Sequence, residues 1–263
     1  MELDLRGKRA VVLAASKGLG RAAAEALARE GVRVVVTSSS AERADWTAAE
    51  IAGRSGAEVH GVASDLFDPL NMDALFETSC RRLGGVDILF VNGPGPHLGP
   101  AHEMATEVLE RQLRMALVSP VRLIGHLLPA MRERRWGRIL ANGGASIVQP
   151  AFNKAMDNVV RPALVGFLKT LANEVAADGV TANVVIPGIF VTNRVDTSTR
   201  ADADLLGVTF DQVMARRLDN IPARRFGDLR EFGDLVAFLC SERAAFMTGS
   251  IVRLDGGQIK SIV

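Results

Sequence analysis

The sequence predicts an α/β protein built on one doubly wound parallel sheet of about seven strands, with helices on both faces. Short runs rich in Val, Ile and Leu alternate with longer helical patterns from one end of the chain to the other. The short runs are apolar throughout, as expected for strands that are covered on both faces. Because a strand–helix–strand unit forms a right-handed crossover, repetition of the unit predicts parallel pairing.

The predicted strands lie at residues 9–15, 32–37, 57–64, 87–92, 137–142, 180–187 and 250–257. The predicted helices lie at about residues 20–30, through the forties, and at about 70–83, 105–134, 155–177 and 230–240. A polar loop with a helical patch at about residues 189–221 has the composition of a mobile substrate lid. No Pro/Ser-rich linker, repeat or low-complexity segment interrupts the chain, so we expect a single domain, residues 1–263.

Composition excludes several classes of protein. With 48% hydrophobic and 23% charged residues, the 263-residue chain is neither disordered nor fibrous. A formal net charge of +1 provides no field for nucleic acid. No apolar run reaches membrane-spanning length and no cleavable signal is visible, so we expect a cytoplasmic protein without a membrane partner. Only Cys80 and Cys240 occur, which suits a reducing compartment, and no metal-ligand spacing is present.

The turn after the first predicted strand has the composition of a phosphate-binding loop. Small residues lead directly into a helix, so the backbone can approach a pyrophosphate at the helix N-terminus. Glycine spacing alone is a weak signal, and a tight turn needed only for packing is the alternative. The residues concerned are Ala14, Ser16, Lys17, Gly18, Leu19 and Gly20.

Further motifs follow in a fixed order along the chain. They are Asp65 after strand three, the Asn-Gly-Pro-Gly segment 92–95 after strand four, Pro187-Gly188 with Thr192 after strand six, and the segments 225–228 and 248–257. With these motifs the chain resembles the short-chain dehydrogenase/reductase (SDR) family from Gly7 to Gly257, and in particular its 3-oxoacyl-carrier-protein-reductase-like branch. The resemblance implies a Rossmann-type fold and an oxidoreductase acting on a small carbonyl or alcohol substrate.

The resemblance also implies which residues bind a dinucleotide. Gly18 and Gly20 match the later glycines of the family's phosphate turn, and Ala14 stands where the first glycine is usual. The other matching positions contact adenine (Asp65, Leu66), the adenosine ribose (Asn92, Gly93) and the nicotinamide (Pro187, Gly188, Thr192).

Cofactor choice is normally set at the end of strand two, where an acidic residue accepts hydrogen bonds from the ribose and repels a 2′-phosphate. Here Ser38 and Ser39 offer hydroxyl groups and no acid, while Lys17 and Arg43 lie nearby in sequence. We therefore expect NADP rather than NAD. Alternatively, the serines belong to a solvent-exposed loop that does not select between the two cofactors.

The family's catalytic tetrad of Asn, Ser, Tyr and Lys is substituted in this chain. The sequence contains no tyrosine at all. Alignment on the helix at 163–175 and the strand at 137–139 places Asp157 at the tyrosine position, Arg161 at the lysine position, Gly144 at the serine position and Ala116 at the asparagine position. We take Asp157, Arg161 and Gly144 as candidate catalytic positions.

The replacements change the chemistry that the site can perform. Tyrosine, with a reference pKa of about 10, can give and take a proton once a lysine brings it towards neutrality. Aspartate is ionised at neutral pH, so it serves as a base but poorly as an acid. Because carbonyl reduction needs a proton donor for the developing alkoxide, the substitution impairs reduction more than alcohol oxidation. Alternatively, Asp157 and Arg161 form an ordinary surface ion pair at i, i+4, which would stabilise the helix by about 0.3–0.5 kcal/mol and do nothing else.

Other groups near the predicted site leave alternatives open. Ser146 could replace the missing serine if its segment is extended. Gly143 and Gly144 could offer backbone N–H groups to an oxyanion. Pro162 predicts a helix that is kinked or that starts late, which would move Asp157 away from the cleft. His97 and His102 are loop histidines that we expect to be exposed.

Three functions therefore stay open at this point. The first is an NADP-dependent oxidoreductase with a rebuilt acid/base set. The second is non-redox chemistry on the same fold, such as dehydration, isomerisation, cyclisation or elimination, and the third is an inactive pseudoenzyme subunit. Family resemblance also implies a homo-oligomer, a dimer or tetramer, formed through the two long helices and the C-terminal segment.

Overall fold

The computed structural model describes residues 2–262, and within them seven strands form one sheet. The strand order is β3-β2-β1-β4-β5-β6-β7, and every neighbouring pair is parallel. The strands are β1 (Arg9–Val12), β2 (Arg33–Ser38), β3 (Val59–Ala63), β4 (Ile88–Val91), β5 (Gly137–Asn142), β6 (Val180–Pro187) and β7 (Ile251–Leu254). The predicted doubly wound sheet is confirmed. Its order reverses between β1 and β4, which is where such sheets bind ligands.

Helices cover both faces of the sheet, as predicted. They are α1 (Gly18–Arg29), α2 (Ala41–Ser55), α3 (Asn71–Leu83), α4 (Thr106–Leu113), α5 (Ser119–Glu133), α6 (Ala155–Val175), α7 (Asn193–Leu206), α8 (Phe210–Asp219) and α9 (Leu229–Cys240). Helices α1, α2 and α9 pack on one face, and α3, α5 and α6 pack on the other.

The central strand β1 shows why the apolar runs are continuous. Ala10 and Val12 belong to the core under α1 and α9, whereas Val11 belongs to the core under α5 and α6. All three side chains are fully buried. Since apolar burial stabilises by about 25 cal/mol per Å², both faces of the strand contribute, and a polar residue on either face would be costly.

The helix predicted at 105–134 is interrupted by a π-helical turn. Helix α4 leads into the π turn at Arg114–Val118, and α5 continues from it to Glu133. Ala116 lies in this turn. Single π turns inside α-helices widen the backbone locally and occur frequently at functional sites.

The expectation that α6 starts late, at Pro162, is wrong, whereas a kink at this proline stays a prediction. Helix α6 begins at Ala155 and continues through Pro162 to Val175, with Asp157 in its first turn. Proline removes one backbone hydrogen bond, but Val160 and Leu164 on either side of it are buried against the sheet. This packing keeps the helix in place across the proline.

The segment at 189–221 contains two helices, α7 and α8, where the sequence predicts only a helical patch. Thr209 caps α8 in a capping box with Gln212, a local signal that the sequence analysis missed. Arg217 of α8 donates hydrogen bonds to Thr199 and Asp202 of α7, both at 2.7 Å. The two helices therefore form one hydrogen-bonded unit.

The entry to this unit is fixed by an aromatic cluster. Phe190 lies just before α7 and packs edge-on against Phe232 of α9, with ring centroids 5.8 Å apart. Phe232 packs in the same way against Phe90 of β4 at 6.1 Å. Such pairs contribute about 0.5–1.5 kcal/mol beyond the area that they bury.

Within residues 2–262, no helix is both long enough and apolar enough to cross a bilayer.

Candidate active site

The predicted phosphate turn lies at the carboxyl end of β1, beside the reversal in strand order. Gly18 and Ala14 both have positive φ angles, of 57° and 48°. Glycine adopts this conformation freely, whereas alanine pays about 1–2 kcal/mol for it. Thus Ala14 stands at a position where glycine would fit without strain.

Gly20 allows the turn to close on its neighbours. A Cβ atom there would lie 2.5 Å from Nδ2 of Asn92 and 2.6 Å from the carbonyl oxygen of Ala14, and both contacts are too short for real atoms. Leu19 packs against the core beside the turn, while Ser16 is half-buried and Lys17 is exposed. The turn therefore presents backbone and small side chains, as a pyrophosphate site requires.

Asn92 connects the ends of three neighbouring strands. Its Nδ2 donates to the carbonyl oxygens of Leu13 and Ala14, at 3.2 and 3.1 Å. Its Oδ1 accepts a hydrogen bond from Nδ2 of Asn142 at 2.9 Å. Among the residues that the structure describes, the buried Oδ1 of Asn142 has no donor. A buried acceptor of this kind is suited to a ligand hydroxyl or amide.

Three predicted cofactor positions come from the segment that follows β6, far from the phosphate turn in sequence. Thr192 lies against the phosphate turn, since a Cβ atom on Gly18 would be 3.6 Å from its Cγ2. Pro187 ends β6, and Gly188 packs so closely on Asp255 that a Cβ atom would lie 2.6 Å from its Cα. The segment after β6 is thereby brought over the end of β1.

At the end of β2, Ser38 is buried and Ser39 is exposed. The Arg43 guanidinium donates to Oγ of Ser39 at 3.3 Å and is itself exposed. A hydroxyl group and a guanidinium group therefore lie together at this edge. Lys17, in the turn after the neighbouring strand β1, is also exposed.

The remaining predicted positions line the far side of the turn. Leu66 is buried, and its carbonyl oxygen accepts a hydrogen bond from Ser119 at 2.8 Å. Asp65 is exposed and accepts from the backbone N–H of Phe67 at 2.9 Å. A Cβ atom on Gly93 would lie 2.9 Å from Sδ of Met115, so a side chain there would displace that methionine.

Asp157 lies at the centre of a charged cluster, on the other side of the candidate site from the phosphate turn. Its side chain is about a tenth exposed, with Oδ1 2.6 Å from Nε of Arg161 and Oδ2 3.2 Å from Nη2 of Arg194. The pair with Arg161 is spaced i, i+4, but it is mostly buried, so it does not lie on the surface as that alternative supposed. A carboxylate has about four acceptor sites, and these contacts leave some of them open.

Arg161 also reaches the loop that follows β5. Its Nη1 donates to the carbonyl oxygens of Asn142 and Gly143. A Cβ atom on Gly144 would lie 3.1 Å from Nε of Arg161, closer than ordinary van der Waals contact. Glycine at this position makes room for the arginine, so the two residues fit together as a pair.

Ser146 does not lie on an extended segment, which was the condition for its proposed role. It lies in the 3₁₀ turn Ala145–Ile147, and its hydroxyl donates to the backbone carbonyl oxygen of Asp157 at 3.2 Å. The N–H of Gly143 donates to the carbonyl oxygen of Val185 at 2.7 Å, so it is not available to an oxyanion. Ser146 therefore positions the start of α6.

Two cations in this cluster had no role in the sequence analysis. Arg194 lies in the first turn of α7, and Lys154 immediately precedes α6. Burial lowers the pKa of both side chains, although the charge of Asp157 acts in the opposite direction on each. No sequence motif marks either residue, because α7 meets α6 only in the folded chain.

The histidines and cysteines add no further chemistry. His97 and His102 are exposed, as expected. Cys240 is buried, Cys80 is half-buried, and neither forms a disulfide. Within residues 2–262, no group of three or more His, Cys, Asp or Glu side chains is placed to hold a metal ion.

Comparisons with known proteins identify the family. A family model described as enoyl-(acyl carrier protein) reductase matches residues 13–258. The 3-oxoacyl-[acyl-carrier-protein] reductase FabG of Aquifex aeolicus is 33% identical over 259 residues, which cover 98% of this chain and 99% of that protein. FabG of Escherichia coli is 35% identical over 257 residues, which cover 97% of this chain and 98% of that protein.

Among solved structures, L-sorbose reductase from Gluconobacter frateurii, complexed with NADPH and L-sorbose, has a TM-score of 0.93. It is 32% identical, and the match covers 100% of both chains. The chain belongs to the short-chain dehydrogenase/reductase family. Within that family it is similar to the 3-oxoacyl-[acyl-carrier-protein] reductases.

Proposed function

We propose that the protein is an NADP(H)-dependent oxidoreductase that acts on a small carbonyl or alcohol substrate through a non-standard acid/base site. The observation that carries the proposal is the phosphate turn, which keeps its later glycines although Ala14 replaces the first. Gly18, Gly20 and Thr192 meet at the end of β1, beside the reversal in strand order. Membership of the family and similarity to a reductase solved with NADPH support the same reading.

The residues at this end of the sheet fit a dinucleotide. Gly20 lets the turn approach Asn92 so closely that any side chain at position 20 would block the contact. The buried Oδ1 of Asn142 lacks a donor among the described residues. In this proposal the phosphates lie on the turn, and adenosine and nicotinamide lie on either side of it. The residues that would hold the cofactor are Ala14, Ser16, Lys17, Gly18, Leu19, Gly20, Ser38, Ser39, Asp65, Leu66, Asn92, Gly93, Pro187, Gly188 and Thr192.

The preference for NADP rests on the end of β2. The hydroxyl of Ser39 and the guanidinium of Arg43 lie together there, and no carboxylate follows the strand directly. A 2′-phosphate is a strong acceptor for such donors, whereas a carboxylate would repel it.

The catalytic set in this proposal is Asp157, Arg161, Ser146 and Gly144. When bound, the nicotinamide supplies or accepts the hydride. Asp157 takes the proton from a substrate hydroxyl, Arg161 holds the carboxylate of Asp157, and Ser146 holds its backbone. Gly144 leaves the space that Arg161 occupies. Because an ionised carboxylate accepts a proton but does not donate one, alcohol oxidation is the favoured direction.

A second candidate function is non-redox chemistry on the same fold. The buried base Asp157 and the two guanidinium groups beside it favour this candidate. They could remove a proton next to a polarised group in an elimination or isomerisation without any hydride transfer. An inactive subunit is the third possibility, and it predicts no turnover under any conditions.

Titration with NADPH, followed by cofactor fluorescence, tests the main proposal. We expect saturable binding. We also expect Arg43→Ala to weaken NADPH binding by about 10- to 150-fold while leaving NADH binding unchanged, since one charge-assisted contact contributes about 1.5–3 kcal/mol. Arg54→Ala, on the same helix, is the matched control. Absence of binding at millimolar NADPH would overturn the proposal. A bound cofactor that never changes redox state with any alcohol or carbonyl would favour the second candidate.

We further propose a single domain over residues 1–263, in which residues 189–221 form the substrate lid, and a cytoplasmic homo-oligomer, a dimer or tetramer. The paired helices α7 and α8, which carry Arg194 to the candidate site, support the lid. Family membership supports the oligomer. The partner in this proposal is a small-molecule substrate, with no nucleic acid or membrane.

A further inference from the structure

The mouth of the candidate site holds more positive than negative charge. Arg161 and Arg194 contact the carboxylate of Asp157, and Lys154 lies within range of its charge and of that of Asp202. Arg161 alone can balance that carboxylate, since its Nε lies 2.6 Å from Oδ1. The charges of Arg194 and Lys154 are therefore left in excess.

Arg194 has hydrogen-bond donors that no protein group uses. Its Nη2 donates to Asp157 at 3.2 Å, and among the described residues Nε and Nη1 have no acceptor. The side chain lies so close to Gly95 that any Cβ atom there would overlap its guanidinium group. Glycine at position 95 thus lets the arginine lie flat against the loop after β4, with about a third of its surface still exposed.

Lys154 is in a similar situation beneath the lid. The backbone on either side of it is fixed by hydrogen bonds between Asn153, Gly99 and Ala155. Its ammonium group has no hydrogen-bond acceptor among residues 2–262, and burial is the largest influence lowering its pKa. Asp202 attracts the ammonium group, but this carboxylate is already 2.7 Å from Arg217.

Half-buried cations whose N–H donors are only partly used (Arg194) or not used at all (Lys154) are costly in a protein that binds nothing there. They become favourable when a bound anion supplies the missing acceptors, because charge-assisted hydrogen bonds are stronger than neutral ones. Arg194 comes from the lid and Lys154 from the base of the site, so an anion between them would also hold the lid closed.

We propose that Arg194 and Lys154 form an anion site beside Asp157, which selects substrates that carry a carboxylate or phosphate group near the reacting carbon. This inference rests on the proposed function in one respect, namely that the anion belongs to the substrate of the same cleft. It names the class of substrate, a small organic acid or phosphate ester rather than a neutral alcohol.

Three probes of similar size test the site: benzoate, phenyl phosphate and the neutral benzamide. Ligand-observed NMR titration measures their affinities for the wild-type chain, with and without NADPH. We expect benzoate or phenyl phosphate to bind at least about tenfold more tightly than benzamide, which corresponds to about 1.4 kcal/mol. The tighter of the two anions then identifies the source of the charge.

Variants connect the selectivity to the two residues. Arg194→Met and Lys154→Met should each reduce the ratio of anion to benzamide affinity by about fivefold or more, and Arg194→Lys should retain part of it. Arg200→Met, an exposed arginine on the same helix, should leave the ratio unchanged.

Two results would overturn the inference. One is equal affinity of the wild type for benzoate, phenyl phosphate and benzamide. The other is an Arg194→Met variant that weakens all three probes alike, which indicates only a structural contact between α7 and α6. Anion selectivity in a chain that does not bind NADPH would support the inference while the proposed function fails, so the two failures can be distinguished.

Discussion

Asp157 is held by arginines from two elements that are distant in sequence, Arg161 of α6 and Arg194 of α7. This arrangement places two guanidinium groups against a mostly buried carboxylate, at the position proposed for the general base. We expect Asp157→Asn to lower the rate of NADP⁺ reduction with an alcohol substrate by about 10²–10⁴-fold, because general-base catalysis contributes about that much. Steady-state kinetics across a panel of alcohols measure the effect.

The control for this prediction is Asp204→Asn, an exposed aspartate on α7. It should keep the wild-type rate. The affinity of Asp157→Asn for NADPH should stay within about twofold, since the phosphate turn is on another element. An Asp157→Asn variant with the wild-type rate would show that this carboxylate is not the base.

Helices α7 and α8 are joined to each other chiefly through one side chain. Arg217 donates to Thr199 and Asp202 at 2.7 Å and to Ser198 at 3.1 Å, and its side chain is mostly buried. Removing it leaves the partly exposed carboxylate of Asp202 without this partner, which costs about 1–3 kcal/mol. We expect Arg217→Met to accelerate amide hydrogen exchange in α7 and α8 but not in the sheet.

Arg216→Met is the matched control, because Arg216 is the exposed neighbour on the same helix. Its exchange pattern should follow the wild type in both helices. If amide hydrogen exchange were faster throughout the Arg217→Met variant, the two helices would unfold together with the whole chain. That result would contradict a lid that moves separately.

At the scale of the whole molecule, Asp87 joins the two central strands at the end opposite the cleft. Its carboxylate accepts a bidentate pair from Arg9 of β1, at 2.7 and 2.6 Å, and lies 3.2 Å from Arg134 beyond α5. Burial alone would raise the pKa of Asp87, but the hydrogen bonds and charge of Arg9 lower it below the ordinary value. The pair thus stabilises the charged form in the folded state.

A carboxyl group whose pKa is lowered in the folded state stabilises the fold at pH values above its unfolded-state pKa of about 4. This stabilisation is lost as the pH falls through the folded-state pKa. We therefore expect Asp87→Asn to lower the free energy of unfolding by about 1–3 kcal/mol at pH 7, with the difference shrinking below about pH 4. Urea unfolding of both chains at a series of pH values measures it. A difference that stays constant down to low pH would show that the charge is not its cause.

The sequence alone determined the class of fold and the place of the candidate phosphate turn. Apolar runs and their spacing predict the strands, because burial on both faces demands them, and the order of glycine motifs indicates the family. The capping box of Thr209 and Gln212 is also a signal within the sequence, although the predicted helical patch did not use it. These features depend on neighbours along the chain or on a repeated pattern, so a single sequence contains them.

The composition of the charged cluster around Asp157, the candidate catalytic site, was decided only by the tertiary structure. Pro162 indicated a broken helix, yet buried residues on either side of it keep α6 continuous and Asp157 in the cleft. Arg194 reaches Asp157 across 37 residues of sequence through the α7 and α8 unit. Such contacts depend on how elements pack rather than on what lies beside a residue in the chain. The spacing i, i+4 already indicates the contact of Arg161 with Asp157, whereas the contact of Arg194 could not be found before the fold was known.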